Sequence, residues 1–418
     1  MLPKETSHLP PSFKRLAWSN LAAQSAEQVA LAAASIVAVL LLGVGEGQSG
    51  LLQTALTLPF LLFAIPAGLM ADRMSRRLLM TTAEAMRAAA LFSILILIWL
   101  HGLSMPLLGF LGFLSVCGTV AYSVAAPALV PSLVNSDALA AANSRIELAR
   151  TVAFASGPAL GGLLVGWIGA APAFGIAAGL SVIAVVLLAG ISEPSRPPVN
   201  RKRPLKDIKE GVAFVFKHAL LRPIFVTQLF FNTSLFIIFS VFVPYAVRHL
   251  HLSASDIGMS LAMYGIGMIV GALLAPTLFR RLRFGTVVAL GPISGFAASI
   301  MMASTVPAPV STLAALSFFF FGVGPILWVI STTTLRQIVT PPQLLGRVSA
   351  INILSSGTRP LGAAIGAIVG GTFGAETCLY LAMAGFAMQA MIILISPAVR
   401  LTQQPDMYEE IEVAAQQI

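Results

Sequence analysis

"GLMADRMSRRLL", residues 68–79, packs Asp72, Arg73, Arg76 and Arg77 into six positions between two long apolar runs, Gly50–Met70 and Leu79–Leu100. The whole chain has 418 residues, 57% of them hydrophobic and only 10% charged, with a mean hydropathy of +0.90. A soluble domain carries charge on about a quarter of its residues. A chain this apolar that packs three cations and an acid into one short turn reads as a membrane protein, and the turn as a segment left outside the bilayer.

Working outward from this turn, apolar runs of bilayer-spanning length, about 20 residues, recur along the chain. They are Leu16–Leu42, Gly50–Met70, Leu79–Leu100, Pro106–Val130, Ile146–Ile168, Phe174–Ile191, Ile224–Val247, Ile257–Phe279, Val287–Ala303, Ser311–Ser331, Val348–Gly370 and Cys378–Ile395. Threaded from a cytoplasmic N-terminus, they place 22 of the 25 Lys and Arg residues on the cytoplasmic side. The exceptions are Arg87 and Arg359, inside runs, and Arg248, at the end of the seventh. That asymmetry follows the positive-inside rule with both termini in the cytoplasm, so the net charge of +9 encodes topology and no nucleic-acid partner is expected. The first run is too long for a cleavable signal and is expected to stay as helix one. Cys117 and Cys378 lie far apart without metal-ligand spacing, which points to neither disulfide nor zinc.

The polar interval "SEPSRPPVNRKRPLKDIKEG" (192–211) divides the chain nearly in two. Within it and just beyond, Ile208, Val212 and Val215 fall at i, i+4 and i+7, which fits a short amphipathic helix on the membrane surface or an extension of the seventh helix. The two halves echo one another. At an offset of 205, Gly157, Gly161 and Gly166 fall on Gly362, Gly366 and Gly371; at 207, Arg73 and Arg76 fall on Arg280 and Arg283. The expected fold is therefore an all-α membrane protein of twelve transmembrane helices in two pseudo-symmetric six-helix bundles, residues 1–192 and 223–418, joined by a cytoplasmic linker at 193–222. Parallel repeats of this kind are a secondary-transporter architecture, with substrate bound between the halves near mid-membrane.

The opening stretch resembles the G-x-x-x-D-R-x-G-R-R loop of the major facilitator superfamily. Gly68, Asp72, Arg73, Arg76 and Arg77 match, and Ser75 stands where the glycine is usual. The resemblance implies a cytoplasmic gating loop, with Asp72 facing the N-terminus of a helix near Gly346–Val348. "ASGPALGG" (155–162) resembles the fifth-helix motif of drug exporters through Gly157, Pro158, Gly161 and Gly162, with Ala153 replacing the first glycine. "ANSRIELARTVAFASGPALGGLLVG", "LKDIKEGVAFVFKHALLRPIF" and "LLGRVSAINILSSGTRPLGAAIGAIVGG" look like the bacterial branch that holds siderophore exporters and macrolide-type efflux proteins. Nearly the whole chain shares this likeness. It implies export by alternating access from a bacterial inner membrane, and it is weak on substrate.

Charge inside a membrane is costly and marks candidate function. In run one Asn20, Gln24, Glu27 and Gln28 form a polar stripe on one helical face, with Glu27 the candidate proton carrier. Glu84 and Arg87, three apart, can pair; Arg359 is a candidate to balance Glu27 or to receive an anionic part of the substrate. Gln228 and Asn232 give run seven a polar face for a cavity, and Arg145, Glu147 and Arg150 are expected to join the gating network. The fourth run has no charge, where the superfamily usually has an arginine, which shifts proton coupling to Glu27.

No P-loop, GxSxG or HExxH occurs, so neither an ATP-driven pump nor an enzyme is expected, and His249 and His251 form the one close histidine pair. The reading is a monomeric, proton-coupled exporter of small amphipathic or siderophore-like molecules, working with membrane lipid and without cofactor or metal. Lysophospholipid translocation, or a non-transporting sensor or assembly partner, are the competing classes.

Overall fold

The computed structural model describes residues 10–135, 138–193, 204–341, 344, 348 and 355–403, apart from the side chains of 64, 65, 68, 69, 71–73, 140, 141 and 204–208. The described elements are helical: α1 Pro11–Leu40, α2 Glu46–Arg73, α3 Arg76–Trp99, α4 Met105–Leu133, α5 Leu139–Ile168, α6 Ala170–Ala189, α7 Pro204–Lys217, α8 Leu221–Arg248, α9 Ala254–Arg281, α10 Phe284–Ser304 and α11 Ser311–Val339. A 3-10 turn, Ser355–Thr358, then leads into α12, Arg359–Leu394. In hydrocarbon every backbone N–H and C=O must be satisfied within the chain, which is why apolar runs of this length fold as helices.

Ten stretches among the described residues are long and apolar enough to cross a membrane. The last, Ser355–Leu394, is two limbs joined at Gly374 (φ 84°, ψ 168°). Gly169, the single residue between α5 and α6, has the same conformation (φ 93°, ψ 171°). These glycines are 205 positions apart, so the repeat read in the sequence extends to a one-residue corner that only glycine adopts without strain. With the 28-residue α2 included and α12 counted as two limbs, the all-α, twelve-span architecture is in place.

The helices overrun their apolar runs. α5 starts at Leu139, two turns before the run at Ile146, so Arg145 lies on its first turns. Prolines sit inside α2, α4, α5, α8, α9, α10 and α11. Such prolines are tolerated where neighbouring helices and hydroxyl side chains satisfy the freed carbonyls.

Packing divides the chain into two compact units, Met1–Val44 with Ala55–Asn200 and Ser253–Ala262, and Gly45–Thr54 with Arg201–Leu252 and Met263–Ile418. In the first, α1 packs on α4, α5 and α6, and α3 on α4 and α6. One of its cores gathers Phe13, Leu16, Met80, Tyr122, Leu129 and Leu188. In the second, α8 packs on α12 and α10 on α11 and α12. Its core at one end holds Leu221, Ile224, Phe284, Trp328, Leu335 and Ile393.

Candidate functional site

The first unit encloses an ionic cluster. Arg87 on α3 is 1% exposed and Glu84, one turn earlier, 0%. Arg87 Nη1 donates to Glu84 Oε1 at 2.7 Å and to the Ala23 carbonyl of α1 at 3.1 Å. Nη2 donates to the Thr119 hydroxyl of α4 at 2.5 Å, and Nε to the Ser115 carbonyl at 3.5 Å. One guanidinium thereby ties three helices together with directed bonds.

Glu27 on α1 is 9% exposed. Arg87 is the main positive charge acting on its carboxyl, with Glu84 opposing and Arg150 a weaker cation. Glu84 Oε2 and the hydroxyl of Ser181 on α6, both buried, complete no hydrogen bond among the described residues. Two carboxylates around one guanidinium are electrically balanced when they hold one proton.

The polar stripe on α1 serves packing as well. Asn20 is buried and donates to the Ile146 carbonyl of α5 at 3.1 Å. Gln28 is buried and Gln24 half-buried. A Cβ at Gly157 would lie 2.2 Å from that of Gln28, and one at Gly161 would lie 2.9 Å from both Ala32 Cβ and the Val29 carbonyl oxygen. On the other side of α5, a Cβ at Gly162 would lie 2.6 Å from the Cα of Gly258 in the first turns of α9. The Gly157–Pro158–Gly161–Gly162 motif is a seam of close backbone approach on two faces of α5.

The turn between α2 and α3 is organised by Ser75 and Glu193. Ser75 caps α3, its Oγ accepting from the Leu78 N–H at 3.2 Å. The Glu193 carboxylate accepts from the Ser75 hydroxyl at 2.7 Å and from the backbone N–H groups of Arg76 and Arg77 at 3.2 and 3.0 Å. A carboxylate is thus seated on a helix N-terminus, where the dipole favours it. The Arg76 guanidinium also donates to the Ala128 carbonyl of α4. Gly68 lies within α2, while the side chains of Asp72 and Arg73, and the Gly346–Val348 contact expected for Asp72, lie outside what is described apart from Val348 itself. Glu147 and Arg150 pair with each other at 3.1 Å and are 58% and 51% exposed, and Arg145 is exposed.

In the second unit Asn232 is buried and donates to the Ser355 carbonyl at 3.2 Å, while Gln228 is half-buried. The Thr358 hydroxyl donates to that same carbonyl at 2.8 Å. Helix breaks there, and Pro360 suits the first turn of α12 because it has no N–H to leave unbonded. Arg359 is accordingly the first residue of α12, not a mid-helix residue, and its guanidinium lies 5.6 Å from the Phe236 ring centroid. The interior around it is aromatic: Phe318 stacks on Phe239 and meets Phe242 edge-on at 4.6 Å, and Phe321 lies 4.9 Å from Phe386. Farther along α8, Arg248 pairs with Glu46 at 3.1 Å beside an open cavity of about 360 Å³ that Tyr245, His249 and Glu376 help to line.

Of the residues singled out in the sequence, the structure brings together Glu27, Glu84 and Arg87. Thr119, Ser181 and Glu193 join the sites without having been singled out.

Comparison with known proteins places this geometry. The enterobactin exporter EntS of Citrobacter koseri is 28% identical over 264 residues, 63% of this chain and 61% of that protein, so the match spans about three fifths of the relative. The MFS-type transporter y4rN of Sinorhizobium fredii, uncharacterized, is 28% identical over 349 residues, 77% of this chain and 79% of that one. Among solved structures, a bacterial homolog of the human lysosomal transporter Spinster superposes with a TM-score of 0.74 over 94% of this chain and 98% of its own, at 14% identity. A point mutant of the nucleoside transporter NupG gives 0.73 over 92% and 98%, also at 14%; these likenesses speak for the fold. The model of the Major Facilitator Superfamily matches residues 16–367. A twelve-span helical fold, a repeated glycine seam and that match together make this chain a multi-pass membrane protein of the Major Facilitator Superfamily of transporters.

Proposed function

We propose that this protein is a proton-coupled exporter of small amphipathic molecules, siderophore-like compounds among them, working by alternating access of two halves, 1–192 and 223–418, in a bacterial inner membrane with both termini cytoplasmic. The observation that carries the coupling is the buried cluster of Glu27, Arg87 and Glu84. Arg87 and Glu84 are closed on each other at 2.7 Å, so Glu27 is the carboxyl left to gain and lose the proton. Arg87, the main cation acting on Glu27, joins α1, α3 and α4, so a change of charge at Glu27 bears on all three helices. Export is supported by the Gly157–Gly162 motif and by the partial likeness to an enterobactin exporter. Arg359 at the start of α12, beside aromatic rings, is the group we assign to an anionic portion of the substrate.

The test is substrate-dependent proton movement in proteoliposomes with a panel of lipophilic cations, macrolides and siderophores. Wild type is expected to move protons with one of these classes. Glu27→Gln is expected to fold and to lose the proton signal, and Glu27→Asp to keep part of it. Proton-coupled transport that survives in Glu27→Gln would falsify the role of Glu27, and transport without any proton signal in wild type would remove the coupling.

A further inference from the structure

Transport chemistry leaves α7 without a role. It is a separate helix: after Lys217 the chain breaks over His218–Leu220, and His218 Nδ1 accepts from the N–H groups of Leu220 and Leu221 at 3.2 and 3.4 Å. One face is docked. Val215 is 3% exposed and Val212 packs beside it against Leu221 and Ile224 of α8, Phe284 of α10 and Leu335 of α11. Those contacts are the first turns of α8 and α10 and the last turns of α11, so α7 lies across one end of the second unit. The same end carries the exposed Arg280, Arg281 and Arg283.

The other face is open. Lys209, Ala213, Phe216 and Lys217, at i, i+4, i+7 and i+8, are exposed, and Arg222 follows on the first turn of α8. Lys209, Lys217 and Arg222 make no ion pair among the described residues. Phe216 is 46% exposed and meets Phe225, also near the start of α8, edge-on at 5.6 Å. A merely solvated helix face has no use for an exposed phenyl ring. A membrane-surface helix does, because rings sit at the headgroup level while Lys and Arg lay their stems on apolar surface and reach for phosphate. The start of the 28-residue span α8 puts α7 at that level. Residues 201–222 contain seven Lys and Arg against two acids, the balance of a segment that seeks negative charge next to a membrane span.

We propose that the open face of α7 is a binding site for anionic phospholipid, with Lys209, Lys217 and Arg222 on headgroup phosphates and Phe216 at the boundary of the acyl region. The site stands apart from the coupling cluster, so it survives or fails independently of the export reading.

The experiment places the full chain in nanodiscs of phosphatidylcholine with and without phosphatidylglycerol and reads retained lipid by native mass spectrometry at low and high salt. Wild type is expected to prefer phosphatidylglycerol, less so at high salt as the charges are screened. Each of Lys209→Gln, Lys217→Gln and Arg222→Gln is expected to lower that preference about fivefold, with the melting temperature unchanged. Lys217→Arg should keep the preference, and Phe216→Ala should weaken both lipids alike. A preference unchanged in the triple Gln variant, or insensitive to salt, overturns the proposal. So does an acidic protein held by this face while the lipid preference of wild type and triple variant stays equal.

Discussion

The two units are built on one plan and filled with different chemistry. Gly157 presses on Gln28 in the first and Gly362 on Thr233 in the second, both pairs 205 apart, and Gly169 and Gly374 turn the same corner. At that offset Glu27 falls on Asn232, a carboxyl replaced by an amide. At 207, the offset of the basic loops, Glu84 falls on Gly291 and Arg87 on Ser294. The repeat has kept what brings helices close and discarded the charge. The buried ionic cluster belongs to the first unit, and the second packs stacked and edge-on rings in its interior, with Phe236 beside Arg359. Shape is held by positions that tolerate no side chain, whereas the coupling we propose rests on three ionisable groups.

Substitutions can break this contrast. The largest effect is expected from Arg87→Met, which leaves Glu84 buried without its partner at a cost of about 3–5 kcal/mol; loss of folded protein or a large fall in melting temperature in detergent checks it. The double variant Glu84→Gln, Arg87→Met should recover much of that loss. A melting temperature unaffected by Arg87→Met would mean that the cluster is wetter and less central than drawn.

Next come Gly157→Ala and Gly362→Ala, whose added methyls meet Gln28 Cβ at 2.2 Å and the Thr233 carbonyl oxygen at 2.2 Å. Overpacking of this kind costs about 1–3 kcal/mol, and similar losses in both are expected if the two seams do the same work. Asn232→Ala, losing one buried bond to the break before α12, should cost about 1 kcal/mol, read by thermal unfolding. Smallest is Glu147→Gln, whose half-exposed pair with Arg150 is worth less than about 1 kcal/mol; a larger shift would point to a role beyond the surface.

The spans were legible because a bilayer imposes run length, and the repeat because glycine spacing is a strict signal. Glu27, Glu84 and Arg87 were each conspicuous as charge in apolar surroundings, but their meeting was not. It depends on how α1, α3 and α4 are rotated about their axes, which hydropathy does not record, so Arg359 and not Arg87 was read as the partner of Glu27. Thr119 and Ser181 escaped because a hydroxyl in an apolar helix usually bonds its own backbone. Glu193 was swept into the linker by its neighbours, although an acid directly after a span is a plain candidate for a helix N-terminus. The helix break at Ser355–Thr358 was hidden inside an unbroken apolar run, where Pro360 was the available warning.

Where Gly162 of α5 meets Gly258 of α9, main chain touches main chain with no side chain on either side. A joint of that kind has no rotamers to unlock and no knobs to lift out of holes. Its resistance to sliding comes only from the dispersion contacts of backbone atoms, each worth about 0.1–0.2 kcal/mol. Glycine at both positions therefore sets a joint held by main chain alone, close enough to keep two helices at contact without any side chain interlocking there.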